Sequence, residues 1–326
     1  MAAPRRAVRR LLAAVACLAA GAALGESEPG LPLKAEREAR VTVDKATWLS
    51  LDVAPSGDQL ALEILGDLYL LPIGGGTAKA ITQGMGYDAQ PRFSPDGKRI
   101  AFVSDRDGAI ALWTLALDGG EPQKLASPGE RGDFASPEWS PDGQHVIASK
   151  TSFGLGAYEL WAYHIDGGKG VRITQAAPDG TATPRNLRHN ALGAVYSPDG
   201  RYLYYATKLG GFSYNQMFPQ WRIAHRDLRE GTEDAIVEAQ GSAMRPRLSP
   251  DGSLLAYGTR FEQHTGLRLR NLRTGEDRWL AYPVQRDDQE SRYTRDLLPG
   301  YAFAPDGRSL FFTADGGIRR LTIATG

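Results

Sequence analysis

Ser94-Pro95-Asp96-Gly97 opens onto Lys98-Arg99-Ile100-Ala101-Phe102-Val103, and this stretch decides the fold because the chain repeats it. The same signature stands at Ser140-Pro141-Asp142-Gly143, Ser197-Pro198-Asp199-Gly200 and Ser249-Pro250-Asp251-Gly252, and with alanine leading at Ala54-Pro55-Ser56-Gly57 and Ala304-Pro305-Asp306-Gly307. The prolines step by 40, 46, 57, 52 and 55 residues, the period of a propeller blade rather than of a helical repeat. Proline presets φ at the first corner, aspartate caps the turn through its carboxylate, and glycine takes the positive φ that closes a hairpin. Each copy therefore joins two antiparallel strands.

The segments that follow are short, apolar and β-rich, such as residues 99–103, 201–205 and 309–313. Near-continuous apolar strands are expected where both sheet faces are covered. A third strand follows, as in 111–117 or 159–163, and ends at a second glycine turn such as Asp118-Gly119-Gly120 or Thr274-Gly275. A short fourth strand, at 78–82, 123–126, 171–174 and 277–280, completes a four-stranded unit. The expectation is an all-β, six-bladed β-propeller over residues 39–326. The chain stops at Thr325-Gly326 inside a hairpin, so the last blade is expected either to be truncated or to be closed by residues 40–44 pairing with 317–322.

At the other end, Arg5, Arg6, Arg9 and Arg10 precede an uncharged apolar run, residues 11–24, with small residues at Ala23-Leu24-Gly25. That is the pattern of a signal peptide over residues 1–25, followed by a linker at 26–38 and a destination in the periplasm or outside the cell. Cys17 is the single cysteine and lies in the leader, so no internal disulfide is expected in the mature chain. Basic and acidic residues balance at 38 each, and removing the leader arginines leaves an acidic excess. Neither nucleic acid nor an anionic membrane is an expected partner.

Alternation of the turns puts the Pro-Asp-Gly and glycine hairpins on one rim, while the extra length falls on the other. Residues 153–158, 175–190, 208–220, 261–265 and 281–299 are the expected long loops. Binding groups on a rigid scaffold gather in such loops. Tyr214, Trp221, Arg286, Asp287, Asp288, Glu290, Arg292 and Tyr293 are accordingly the candidate docking residues.

Catalytic signatures are missing. His145, His164, His189, His225 and His264 are dispersed, with no His-x-His or His-Glu-x-x-His pattern. No Gly-x-Ser-x-Gly elbow exists. The chain is expected to be non-catalytic, with no cofactor and no metal.

With these repeats on the page, the motif x-x-Pro-x-(Phe/Trp/Leu)-Ser-Pro-Asp-Gly around Pro91, Pro137 and Pro246, with Ser104-Asp105-Arg106 following, resembles the TolB-type six-bladed propeller. Residues 51–57 (LDVAPSG), 66–72 (GDLYLLP), 279–290 (WLAYPVQRDDQE) and 298–303 (LPGYAF) are similar to the N-terminal propeller of large exported amidohydrolases. The resemblance implies a binding and docking module whose parent protein carries a metal-dependent barrel, with its metal-binding histidines, after the propeller. That barrel is not in these 326 residues, so no catalytic residue is transferred. Two other readings stand beside it: a stand-alone TolB-like periplasmic propeller that binds an envelope protein or peptide, and the propeller cap of a prolyl-oligopeptidase-like peptidase.

Overall fold

A computed structural model of the protein describes residues 37, 41–47, 49–152, 154–213, 218–286 and 298–323. Blade 1 comprises β1 (Leu51–Val53), β2 (Gln59–Ile64), β3 (Asp67–Pro72) and β4 (Lys79–Ala80), and blade 2 β5 (Asp88–Phe93), β6 (Arg99–Ser104), β7 (Ala111–Ala116) and β8 (Gln123–Ala126). Blade 3 comprises β9 (Asp133–Trp139), β10 (His145–Thr151), β11 (Glu159–His164) and β12 (Val171–Arg172), and blade 4 β13 (His189–Tyr196), β14 (Tyr202–Leu209), β15 (Arg222–Asp227) and β16 (Glu233–Glu238). Blade 5 comprises β17 (Met244–Leu248), β18 (Leu254–Phe261), β19 (His264–Asn271) and β20 (Asp277–Arg286), and blade 6 β21 (Ala302–Phe303), β22 (Ser309–Ala314) and β23 (Gly317–Thr322). Every sheet is an antiparallel meander. The first strands of successive blades touch in a cycle that ends with β21 against β1, so they surround one axis.

The repeated turn is built as its residues require. In blade 2, Ser94 Oγ donates to Asp96 Oδ1 at 2.6 Å and accepts from the Arg99 N–H, while the Lys98 N–H donates to Asp96. Gly97 has φ of 70° and donates to the Ser94 carbonyl at 2.8 Å. The serine hydroxyl and backbone amides hold the carboxyls of Asp96, Asp142, Asp199 and Asp251 below the usual carboxylate range.

These turns also have a tertiary role. A Cβ placed on Gly97 would lie 3.6 Å from Pro55 of the preceding blade, on Gly143 3.8 Å from Pro95, and on Gly200 3.9 Å from Pro141. Gly252 faces Pro198 and Gly307 faces Pro250 in the same way, and Gly57 faces Pro305, which returns the series to its start. The six turns form a closed pinwheel. Apolar clusters between neighbouring blades complete the closure: Leu51, Leu60 and Leu62 of blade 1 pack with Ala302, Ala304 and Phe311 of blade 6.

The strand expected over residues 40–44 is not formed by residues 41–44, which lie outside any strand; residue 40 is outside the described residues. Contact with blade 6 is instead made by Ala46, whose N–H donates to the Gly316 carbonyl at 2.9 Å. Val41 and Val43 alternate as in a strand, but both are exposed. The hub closes through β1, β21 and the pinwheel, and these two valines bury too little surface to stabilise a fourth strand on blade 6. The segments expected to be a leader and a linker fall, apart from residue 37, outside the described residues, as does the expected final hairpin turn.

Candidate functional site

The two rims differ as the loop lengths imply, with local corrections. Residues 261–265 are a tight hairpin rather than a loop, because Phe261 pairs with His264 across a turn in which Glu262 takes φ of 51°. The fourth strand of blade 5 runs on through 281–286, and Arg286 sits at its end opposite His264. Residues 154–158 and 175–190 are pinned together. Arg188, only 4% exposed, donates to the carbonyls of Thr183 at 2.9 Å, Gly154 at 2.8 Å and Leu155, beside a small cluster of Leu155, Ala157, Ala176 and Ala177. These segments brace blades 3 and 4.

Trp221 is a correction to the docking set. It is 1% exposed, packs in the core shared by blades 3, 4 and 5, and donates its indole N–H to the Ser213 carbonyl at 2.9 Å. An indole in a loop-rich stretch reads as a surface group, but its large apolar area is removed from water wherever a neighbouring blade offers a pocket. Tyr214, Asp287, Asp288, Glu290, Arg292 and Tyr293 lie outside the described residues, and Arg286 is placed only as a strand end.

What the loop rim does present is apolar. Leu65 and Phe218 are more than four-fifths exposed, and Met85, Tyr87, Leu187, Leu209 and Phe261 are exposed on the same rim. Beside Phe261, Trp279 and Tyr282 pack against each other at 4.9 Å over Gly266, where a Cβ would run into both rings. Between blade 4 and its rim loop a groove of about 570 Å³ is lined by His189, Lys208, Phe218, Trp221 and Glu238. Burial lowers the Lys208 ammonium below its ordinary value, and its Nζ donates to Ser213 at 2.8 Å. On the opposite rim, among the described residues, Leu228 and Val171 are exposed large apolar side chains, and a groove of about 560 Å³ lies between the Pro250 and Pro305 turns.

A second feature lies on the axis. Four of the first strands carry a β-bulge four residues before the turn serine, at Gln90, Ser136, Gly193 and Arg245, all with positive φ of 52–68°. Proline follows in blades 2, 3 and 5, where the broken ladder asks for no N–H. That is the physical reason for the proline of the repeated motif. Two residues further on stand Arg92, Glu138 and Arg247, and they meet Asp52 of blade 1. Arg92 lies 3.1 Å from Asp52 and 3.6 Å from Glu138, while Arg247 reaches from blade 5 to Asp52 at 3.6 Å and to Glu138. Asp52 also accepts from the Phe93 N–H, and Arg92 donates to the Leu51 carbonyl. Burial pushes the Asp52 carboxyl up and the Arg92 guanidinium down, in each case more than their partners offset, whereas the two facing carboxylates hold Arg247 firmly charged.

Above this layer, towards the loop rim, Arg245 is 3% exposed and lies across the axis. Its Nη1 donates to Ser136 Oγ at 3.0 Å, and the Tyr301 hydroxyl donates to its carbonyl. Gly300 gives it room: a Cβ there would lie 3.2 Å from its Nη2. The axis is thus filled at two levels by charged side chains. Sequence reasoning missed this hub, although the signal was there: aligning the repeats on their turns stacks Asp52, Arg92, Glu138 and Arg247 in one column with Val195 and Ala302. Among the described residues no group of three or more His, Cys, Asp or Glu is arranged to hold a metal, and no helix is long and apolar enough to cross a membrane.

Where blades 1 and 2 meet on the loop rim, Asp67 and Asp88 each bury an Oδ1 that accepts no hydrogen bond, and Arg106 lies 2.6 Å from the other oxygen of Asp88. Burial first, then the Asp88 charge, raises the Asp67 carboxyl from 3.8 to about 6. Because the folded value is the higher one, its contribution to stability is complete below about 4 and is lost as pH rises through about 6. Asp67→Asn is expected to remove that loss, melting higher than the parent at pH 8 and no higher at pH 4. Melting curves across this range test it, and parallel curves for the two proteins would refute it.

Comparison with known proteins agrees with this architecture. Residues 52–209 match the tricorn protease N-terminal beta propeller domain. The Tol-Pal system protein TolB of Anaeromyxobacter dehalogenans is 38% identical over 102 residues, 31% of this chain and 20% of that protein. A putative tricorn protease homolog of Streptomyces coelicolor is 31% identical over 275 residues, 75% of this chain but 23% of its own. The chain thus spans about a fifth to a quarter of these curated relatives. The solved structure of a putative TolB from Agrobacterium tumefaciens superposes with a TM-score of 0.60 at 19% identity, covering 85% of this chain and 90% of that one. The protein is a six-bladed β-propeller, similar in fold to TolB.

Proposed function

We propose that this chain is an exported docking propeller that holds a protein partner on its loop rim, and that the partner is the metal-dependent catalytic barrel of an amidohydrolase-like protein. One observation carries the docking reading: most of the exposed large apolar side chains lie on the loop rim, from Leu65 and Met85 to Phe218 and Phe261, against Leu228 and Val171 near the turn rim. Such a patch on a rigid scaffold is the usual mark of a protein contact. The filled hub adds direction, because a partner or peptide meets the rim rather than passing along the axis. The export reading rests on the basic-then-apolar leader. The likeness to a TolB structure over nine-tenths of its length supports the second reading, a stand-alone propeller that binds an envelope protein.

The test is the combined variant Phe218→Ala, Phe261→Ala and Leu65→Ala, compared with the parent for binding to the product of any reading frame that continues the gene. Exposed side chains away from the core change stability by about 0.5 kcal/mol or less each, so near-parental melting is expected. Binding should weaken at least tenfold, since truncation of a central apolar contact costs over 1 kcal/mol. Undiminished binding with normal melting would remove the loop rim from the interface. Binding to a separately encoded envelope protein would select the second reading.

A further inference from the structure

His145 and His164 read in sequence as two of five scattered histidines, but the register of blade 3 sets them directly opposite each other, β10 against β11, at the turn rim. The Ile165 N–H donates to the Gln144 carbonyl at 3.0 Å, which makes the two a non-hydrogen-bonded pair, the kind whose side chains stand closer across a ladder. Their ring centres are 5.0 Å apart, with the ring planes at 84°. An ion bound by one nitrogen of each ring at about 2.0–2.1 Å stands about 3.2 Å from each ring centre, so the tetrahedral angle puts the two centres about 5.2 Å apart. The observed spacing fits a shared ion. Both rings are half-buried, and among the described residues the His145 ring has no hydrogen-bond partner. His164 Nδ1 accepts from the Asp166 N–H at 3.2 Å, so it carries a lone pair and no proton. Asp166 is exposed, and water takes over that amide when the lone pair turns to an ion. Asp166 Oδ2 lies 3.5 Å from the same nitrogen and Asp142 stands in the turn before His145, so carboxylates flank the pair on both sides.

We infer that His145 and His164 chelate one divalent transition-metal cation of the zinc, copper and nickel group, with water completing the coordination and Asp166 accepting a hydrogen bond from that water. Imidazole nitrogens suit these ions, whereas calcium and magnesium take oxygen ligands. Two protein ligands on a half-exposed surface make an open site rather than a closed structural centre. The bound ion ties the start of β10 to the end of β11 on the rim away from the docking loops. The inference does not depend on what those loops bind.

The experiment titrates zinc into the whole chain, free of bound metal and of any histidine tag, by isothermal calorimetry, and records the copper(II) EPR spectrum at one equivalent. One zinc should bind per chain, and the copper spectrum should show splitting from two imidazole nitrogens. His145→Gln and His164→Gln should each weaken zinc binding about tenfold or more and leave one nitrogen in the copper spectrum, while His189→Gln binds like the parent. Parental melting without zinc checks that the variants fold. Saturating zinc should raise the melting temperature of the parent and not of the double variant, because an ion held by the folded state stabilises that state. Zinc binding that survives undiminished in the double variant, or a parent that binds no zinc at millimolar concentration, would overturn the site and leave the two rings as an edge-to-face contact.

Discussion

Arg247→Ala is expected to destabilise the propeller by about 3–5 kcal/mol, the cost of leaving buried partners of an ion network without their counter-charge. For a chain of this size that corresponds to a fall in melting temperature on the order of 10 °C. Arg247 is the group that ties blade 5 to blades 1 and 3, through Asp52 at 3.6 Å and Glu138. Removing it leaves two carboxylates with Arg92 as their remaining partner in the layer, in a place where burial already opposes the ionised form of Asp52. Adding Glu138→Gln to Arg247→Ala should recover part of the loss, because it deletes the stranded charge. A fall of only a degree or two would show that water enters the axis and screens the network, and the account of a filled hub would be abandoned.

Gly241→Ala is expected to be nearly as damaging for a different reason. A Cβ on Gly241 would overlap the carbonyl oxygen of Arg260 and lie 2.6 Å from its carbonyl carbon and 2.9 Å from its nitrogen. These are backbone atoms of β18, and they cannot swing aside as the end of a flexible side chain could. The Arg260 N–H also donates to the Gly241 carbonyl at 3.0 Å, so the crossover turn and β18 would have to part where they are bonded. Overpacking of this kind costs about 3 kcal/mol. Gly74→Ala is the control, since a Cβ there meets nothing within 4 Å. Equal melting of the two variants would mean that the crossover from blade 4 to blade 5 gives way freely.

The candidate site was legible in part. Loop lengths pointed to the rim on which Leu65, Phe218 and Phe261 stand exposed, because turn parity in an antiparallel meander is a matter of counting strands. Individual residues were less accessible. Trp221 reads as a loop aromatic in sequence and is a core residue in the fold, because the neighbouring blade that covers it comes from distant parts of the chain. Asp52, Arg92, Glu138 and Arg247 read as ordinary strand charges, and bulges that shift the side-chain alternation bring Arg92, Glu138 and Arg247 to Asp52.

By itself the sequence determined the number of blades, the direction of each strand and the six hairpins, because proline, aspartate and glycine act on the backbone within four residues of themselves. It also determined which strands are covered on both faces, since continuous apolar runs have no exposed side. Only the tertiary structure decided how the ring closes. The pinwheel of Pro55 to Pro305 against the neighbouring glycines, the packing of Leu51 on Phe311, and the hub charges depend on groups from different blades coming to one axis. No local preference encodes such a meeting: it follows from six twisted sheets sharing a centre, where the low dielectric makes each charge answer to the others.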